Sequence, residues 1–232
     1  ILGHVQRGGS PSAFDRNLST LMGAAAVDAI MSDQVTGEAY LIGLKGNKIV
    51  HFPLDECLQK TKEIGEAIKN CDFAKAMELR GRGFREAFQT VRTLVRAMPH
   101  DPSPGQKQRR IAVINSGAPA PGMNTAVRAA VRLGSDEGHA MFGISNGFAG
   151  FANDEITELN WMSVNGWAYL GGSELGTNRH IPANSDFYKI ARNIEEHNIE
   201  GLLIIGGWSA YVSALELYQR RNDYPVFNIP IL

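Results

Sequence analysis

Cysteine is scarce in this 232-residue chain, which contains only Cys57 and Cys71. Two thiols in a region of helical patterns support neither a disulfide framework nor a clustered metal site, and they favour a reducing, cytoplasmic setting. No charge sign dominates either, because 23 basic residues stand against 24 acidic ones and the net charge is -1. A protein that binds nucleic acid or anionic lipid usually carries an excess of basic residues, which this chain does not have. A small-molecule partner is therefore favoured.

Long apolar segments are also missing. The apolar runs, such as residues 111–114 and 202–205, are far shorter than the roughly 20 residues needed to cross a bilayer. None therefore predicts a membrane-spanning helix. The chain opens on Ile1-Leu2-Gly3, typical of the end of a strand, and closes on the apolar run 224–232. We expect both ends to lie inside a longer protein.

The first part of the chain mixes helical and strand patterns. Helices are predicted at 15–31, 54–69 and 72–96, and strands at 39–44 and 48–52 around a Gly46-Asn47 turn. Residues 99–109 then contain three prolines and a glycine without an apolar run, the composition of an exposed connector. We place the domain boundary there.

From residue 110 onward, short apolar strands alternate with amphipathic helices. This alternation predicts an α/β fold whose parallel sheet is covered by helices on both faces. Ligands bind outside the carboxyl ends of such strands, so the candidate loops follow Asn115, Ile144 and Ile205. The predicted strands are 111–115, 140–144, 201–205 and 226–231, and the predicted helices are 123–137, 186–197 and 209–220.

Two of these loops open helices. The loop from Ser116 to Asn124 could hold a phosphate on the free amides of the helix that follows. Its glycines have P-loop spacing, but Met123-Asn124 replaces the Lys-Ser/Thr pair, so a tight strand-to-helix turn is the alternative. In the other loop, Ser209 is the predicted N-cap. Trp208 stands there where a kinase site needs a carboxylate for magnesium.

Two further segments offer cations beside glycines. His4 and Arg7 can donate hydrogen bonds to a phosphate or a sugar hydroxyl, while Gly8 and Gly9 allow the chain to approach a ligand closely. A merely solvated surface is the alternative for this pair. Arg179 follows the glycine-containing loop 171–176 and is weak evidence when taken alone.

Taken together, these segments resemble the phosphofructokinase family over essentially the whole chain. Residues 3–11 with Asp15-Arg16 resemble its fructose-6-phosphate-binding segment, and the run from Arg110 resembles the opening of the same fold. Eukaryotic members are similar to two bacterial enzymes in tandem, a catalytic half and an effector-binding half. The second resemblance is carried by Gly117, residues 121–124, 146–148 and 171–173, Arg179 and Gly206-Gly207.

The resemblance implies where this chain lies in that tandem. Residues 1–98 are the end of the catalytic half, 99–109 the linker, and 110–232 the start of the regulatory half, so both parallel-sheet, Rossmann-like halves are incomplete. Catalytic members carry Gly-Gly-Asp where this chain has Gly117-Ala118-Pro119, and Gly-Gly-Asp-Gly-Ser where it has residues 206–210. These departures are typical of a half that has lost its ATP site.

The implied activity is that of an ATP-dependent 6-phosphofructokinase, which phosphorylates fructose 6-phosphate in glycolysis. The resemblance also implies that ATP and Mg²⁺ bind outside this chain and that the catalytic aspartate lies outside it. No catalytic or metal-binding residue is therefore assigned here. The resemblance further implies an oligomer of phosphofructokinase subunits. It assigns fructose 6-phosphate binding to four residues: His4, Val5, Gln6 and Arg7.

Three arginines are candidates for effector binding. The resemblance assigns Arg179 to the activator fructose 2,6-bisphosphate. Arg128 and Arg132 match positions that contact effector phosphates between subunits in bacterial members, although an i, i+4 pair on a solvated helix face is the alternative. Two rival functions stay open: a non-catalytic module that binds sugar phosphates, and a Rossmann oxidoreductase. The second is disfavoured because the first loop lacks the glycine fingerprint and no acidic residue ends the next strand.

Overall fold

The structure is a computed structural model that describes residues 9–32, 39–46 and 48–232. Its contacts divide the chain into two compact units, Ile1–Glu86 and Ala87–Leu232. This division falls before the predicted connector 99–109, and residues 87–98 pack with the second unit. The assignment of a catalytic and a regulatory half stays a prediction.

The first unit contains helices and one hairpin. Helix α1 (Ala13–Met31) begins with a capping box, in which the amide of Asp15 donates to Ser12 Oγ at 3.2 Å and the amide of Ser12 donates to Asp15 Oδ2 at 2.8 Å. Hydrogen bonds from Ser12 hold the pKa of Asp15 below its usual value. Strands β1 (Tyr40–Lys45) and β2 (Lys48–Pro53) pair antiparallel, which confirms the predicted hairpin, and α2 spans Leu54–Lys69.

The single helix predicted at 72–96 is wrong. The chain instead forms α3 (Phe73–Leu79) and α4 (Arg82–Leu94), separated at Gly81. Gly81 has a φ of +86°, which lies outside the helical region and which glycine adopts without a steric penalty. Apolar periodicity continues through this position, so the break leaves no trace in the pattern that predicted the helix.

The second unit contains a four-stranded sheet in the order β5-β4-β3-β6. Strand β3 pairs in parallel with both β4 and β6, which confirms the predicted parallel sheet. No helix of the described residues is long and apolar enough to cross a membrane. The elements are β3 (Arg110–Ser116), α5 (Met123–Asp136), β4 (Ala140–Ile144), α6 (Gly147–Ala152), β5 (Ile156–Leu159), α7 (Asn184–Glu196), β6 (Gly201–Gly206) and α8 (Trp208–Gln219).

Two parts of this sheet differ from the prediction. Strand β5 was not predicted, and it runs antiparallel to β4 at the edge of the sheet. The strand predicted at 226–231 is wrong, because Pro225–Phe227 forms a 3₁₀ turn and Ile231 makes only an isolated bridge to Leu202. Pro225 and Pro230 have no N–H group to donate to a ladder, and the backbone hydrogen bonds between this segment and β6 involve residues 230 and 232 at its end.

The sheet is buried on both faces. Successive residues of β3 point to opposite sides, so Ala112 and Ile114 join one apolar cluster while Val113 joins the other. Helix α5 packs on the Val113 side through Val127 and Val131, all three of which are fully buried. Helices α6 and α7 contribute to the other cluster. This rigid three-layer arrangement fixes the loops at the strand ends.

The end of α4 is tied to α5. Asp136, near the end of α5, forms an ion pair with Arg96 and accepts a hydrogen bond from Thr93 Oγ1 at 3.3 Å. One turn earlier, Arg132 Nη1 donates to the carbonyl oxygen of Leu94 at 3.2 Å. Thr93 and Arg132 are only 1% and 6% exposed, so these contacts belong to the packed interior of the second unit.

Candidate functional site

A cleft of about 760 Å³ opens where β3 and β6 end. Ser116 and Gly206 are paired across these parallel strands, so the loops that follow them meet at one edge of the sheet. Loop 117–123 and residues 205–209 line the cleft together with Arg179. Two of the three predicted loops therefore come together, while the loop after Ile144 does not line the cleft.

Glycines allow these two loops to approach each other. Gly117 has a φ of +107°, and a Cβ atom added there would lie 3.2 Å from Ser209 Oγ. Gly122, with a φ of +97°, precedes the first residue of α5. Both positions lie in the region that side chains other than glycine rarely adopt. The P-loop-like glycine spacing thus reflects backbone geometry at both ends of the loop.

The helices that begin at this cleft have no side-chain caps. Their N-caps are Gly122 for α5 and Gly207 for α8, so the predicted N-cap role of Ser209 is wrong and this serine lies in the first turn of α8. In contrast, α7 begins where Asp186 Oδ2 accepts a hydrogen bond from the amide of Ala183 at 2.9 Å. The amide of Met123 donates to the carbonyl oxygen of Ala120 at 3.3 Å, but no side chain caps α5 or α8. The N-terminal ends of both helices can therefore face an anion, which the helix dipoles also favour.

Arg179 is the charged residue among the described residues that line the cleft. Its side chain is exposed and forms no hydrogen bond or ion pair with the residues that the structure describes. No carboxylate lines the cleft, and the described ranges contain no cluster of His, Cys, Asp and Glu that could hold a metal. Magnesium prefers carboxylate oxygens and phosphates, so these residues do not fit a protein-held magnesium ion. They fit a phosphorylated ligand without a metal.

The backbone around Arg179 is anchored on both sides. Before it, the amide of Gly117 donates to the carbonyl oxygen of Asn178 at 2.7 Å, and Thr177 Oγ1 donates to the carbonyl oxygen of Gly117 at 3.0 Å. After it, the His180 ring contacts Asp186, with 2.8 Å between Nε2 and Oδ2. The pKa of Asp186 is lowered, first by the hydrogen bond from the Ala183 amide and further by His180.

Two buried asparagines hold the glycine-containing loop that precedes Arg179. Asn115 Nδ2 donates to Ser173 Oγ at 2.7 Å, and Asn124 Oδ1 accepts from the amide of Glu174 at 2.7 Å. Both asparagines are fully buried. The sequence pattern placed both asparagines beside a candidate loop but did not predict that they hold loop 171–176. The available signal was an amide side chain at the end of the apolar strand β3 and another in the first turn of the helix that follows.

The other two candidate arginines lie on α5. Arg132 is buried beneath the Trp161 ring, 4.9 Å from its centroid, and donates to the Leu94 carbonyl oxygen. Burial lowers the pKa of Arg132, and the nearby charge of Arg128 lowers it further. Arg132 therefore does not lie on a solvated helix face. A phosphate contact by these two residues stays a prediction, and Arg132 would have to leave its protein partners to make one.

The predicted substrate segment, His4 to Arg7, lies outside the described residues. Its role in fructose 6-phosphate binding stays a prediction.

Comparison with known proteins gives consistent matches. The family profile named Phosphofructokinase matches residues 1–30 and 110–231. The chain is similar over its full length to the platelet-type ATP-dependent 6-phosphofructokinase of Rattus norvegicus, at 46% identity and 29% of that protein's length. It is 43% identical to the muscle-type enzyme of Canis lupus familiaris, again over all of this chain and 30% of that protein. The chain thus spans less than a third of the length of these relatives.

Solved structures show the same similarity. Phosphofructokinase from Saccharomyces cerevisiae matches with a TM-score of 0.86 and 39% identity, over all of this chain and 31% of that one. The T-state structure of Pichia pastoris phosphofructokinase matches with a TM-score of 0.85 and 37% identity, over 99% of this chain and 26% of that one.

Proposed function

Because the chain belongs to the phosphofructokinase family, we propose that it is part of an ATP-dependent 6-phosphofructokinase. The proposed reaction transfers the ATP γ-phosphate to the 1-hydroxyl of fructose 6-phosphate with Mg²⁺, in cytoplasmic glycolysis. The observation that supports it is the match to enzymes of that name along the entire chain at 43% to 46% identity. Positioning and charge neutralisation would carry the chemistry, with an aspartate outside this chain accepting the hydroxyl proton.

Within that enzyme, the cleft of the second unit is suited to regulation. It combines a guanidinium without a hydrogen-bond partner among the described residues, two helix ends without side-chain caps, and described lining residues that include no carboxylate. Such a cleft can bind a phosphate group but cannot fix the magnesium that phosphoryl transfer needs. We assign Arg179 to a phosphate of the activator fructose 2,6-bisphosphate, and residues 110–232 to the regulatory half.

The activity has a direct test. The full-length protein that contains this chain should phosphorylate fructose 6-phosphate in the presence of Mg²⁺ and ATP. The 232-residue chain alone should not, because the aspartates for magnesium and for the proton lie elsewhere and Trp208 occupies the corresponding loop. A coupled assay of fructose 1,6-bisphosphate formation measures both. A full-length protein that binds fructose 6-phosphate in calorimetry without turnover would instead indicate a non-catalytic binding module.

The substrate segment has a separate test. In the full-length enzyme, Arg7→Ala should raise the KM for fructose 6-phosphate about ten-fold or more, since a charge-assisted contact to the sugar phosphate is lost. The KM for ATP should stay near its normal value. Initial rates with each substrate varied in turn distinguish the two constants, and a defect confined to ATP would contradict the assignment. Arg82, whose exposed ion pair with Glu86 has 2.6 Å between Nε and Oε1, offers a control arginine outside the substrate segment.

A further inference from the structure

We propose that Asn178 is a positioning residue that holds the backbone of Arg179 in place for its phosphorylated ligand. The inference rests on the proposed role of Arg179 in effector binding. It concerns a different residue, one that contacts the protein and not the ligand.

Asn178 connects three segments around the cleft. Its carbonyl oxygen accepts the hydrogen bond from the amide of Gly117, in the loop after β3, at 2.7 Å. Its side-chain Nδ2 donates to the carbonyl oxygen of Asn146, in the loop after β4. Its Oδ1 accepts from the amide of His180 at 3.0 Å. A single half-buried residue thus joins both loops to the segment that carries Arg179.

The bond from the His180 amide to Asn178 Oδ1 spans Arg179. A side-chain oxygen that accepts from the amide two residues later forms a turn resembling a backbone turn. This turn restricts the backbone dihedral angles of the residue between, Arg179, while its guanidinium keeps no partner among the described residues. The ligand therefore has to order only a side chain, and the backbone entropy has already been lost during folding.

The partner of Asn178 on the β4 side is itself fixed. Asn146 has a φ of +53°, its amide donates to the carbonyl oxygen of Leu175 at 2.8 Å, and its Nδ2 donates to Glu155 Oε2 at 2.6 Å. Gly147 follows with a φ of +59°, and a Cβ atom added there would lie 3.0 Å from Asn178 Oδ1. The loop after Ile144 therefore supports the cleft without lining it.

The test uses the full-length protein and calorimetric titration with fructose 2,6-bisphosphate. Asn178→Ala removes both side-chain hydrogen bonds and should raise the Kd about three- to ten-fold. Asn178→Ser keeps an oxygen that can accept from the His180 amide but is too short to reach Asn146, so its Kd should fall between those of the wild type and Asn178→Ala. A graded effect of this kind is not expected from a general loss of stability, which thermal melting measures in the same samples.

Asn160 offers a matched control in the same unit. Its Oδ1 accepts from the amides of Met162 and Ser163, both at 2.9 Å, so Asn160→Ala also removes a turn made by an asparagine side chain. Asn160 follows β5, whose last residue Leu159 pairs with Met141 near the start of β4. It therefore lies beside the amino ends of the parallel strands, whereas the cleft lies beside their carboxyl ends. Asn160→Ala should leave the Kd unchanged.

The outcomes separate this inference from the assignment it rests on. If Arg179→Ala weakens binding while Asn178→Ala binds like the wild type, the positioning role is overturned and the assignment of Arg179 stands. The same holds if Asn160→Ala weakens binding as much as Asn178→Ala. If Arg179→Ala itself binds normally, the assignment of the effector site is overturned as well.

Discussion

Replacing Arg179 by alanine in the full-length enzyme is expected to raise the half-activating concentration of fructose 2,6-bisphosphate about ten- to a hundred-fold. A charge-assisted hydrogen bond to a bound phosphate contributes about 1.5 to 3 kcal/mol, which corresponds to that range. Arg179 has no hydrogen-bond or ion-pair partner among the described residues, so its truncation removes no such interaction there. Turnover at saturating fructose 6-phosphate without activator should therefore survive.

The measurement is an activation titration at subsaturating fructose 6-phosphate. Arg192→Ala is a suitable control, because Arg192 is an exposed arginine of the same unit whose 2.7 Å ion pair with Glu196 lies within one turn of α7. Exposed pairs of this kind contribute little to stability, and this change should leave activation as it is. An unchanged half-activating concentration in Arg179→Ala, or loss of turnover together with activation, would place Arg179 in a different site.

Thermodynamic linkage adds a second expectation for the Arg179→Ala enzyme. If activator and substrate share one conformational equilibrium, each tightens the binding of the other by the same factor. Saturating fructose 6-phosphate should therefore still lower the Kd of whatever activator binding remains.

Gly206→Ala is expected to unfold or severely destabilise the second unit. A Cβ atom at Gly206 would overlap the carbonyl oxygen of Ser116 and lie 2.9 Å from the Cβ of Ala210. Ser116 and Gly206 are paired in the sheet, so neither backbone can move without breaking the ladder that forms the cleft. Overpacking in a core costs about 1 to 3 kcal/mol where side chains can adjust, and we expect about 3 kcal/mol or more where backbone must move.

Gly201→Ala, in the same strand, is the matched control. Its added Cβ would find its nearest neighbours 3.9 Å away on Ile111 and 4.0 Å away on Pro230, which is ordinary van der Waals contact. Denaturant unfolding followed by circular dichroism should therefore show a large loss of stability for Gly206→Ala and little change for Gly201→Ala. Equal midpoints for the two variants would contradict the close approach of β6 to β3.

The sheet could be predicted because its strands are buried on both faces. Residues 111–114 and 202–205 are continuous apolar runs bounded by polar residues or glycine, and both lie within observed strands. The failures have local causes that apolar patterns do not record. Gly81 separates two helices through its positive φ. Pro225 and Pro230 lack the backbone N–H donor that a strand needs, although their segment is as apolar as a strand.

The cleft was only partly predictable. The rule that ligands bind at the carboxyl ends of parallel strands located the loops after Asn115 and Ile205, and resemblance to the family selected Arg179. Two of the hydrogen bonds that hold the segment of this arginine join distant residues: Asn146 and Asn178 are 32 positions apart, and Gly117 and Asn178 are 61 apart. Such distant pairs form only when the whole unit is packed. Local patterns in a single sequence do not show which distant residues will pair.

The contacts between the end of α4 and α5 determine where the second unit can be cut from the rest of the enzyme. A truncation that begins at residue 110, at the first strand, would remove Leu94 and Arg96. Arg132, 6% exposed, would lose its Leu94 acceptor, and Asp136 would lose the guanidinium of Arg96. Buried charges left without partners are strongly destabilising. A fragment of the second unit intended for crystallisation or ligand screening should therefore start near Ala87, upstream of the predicted connector 99–109.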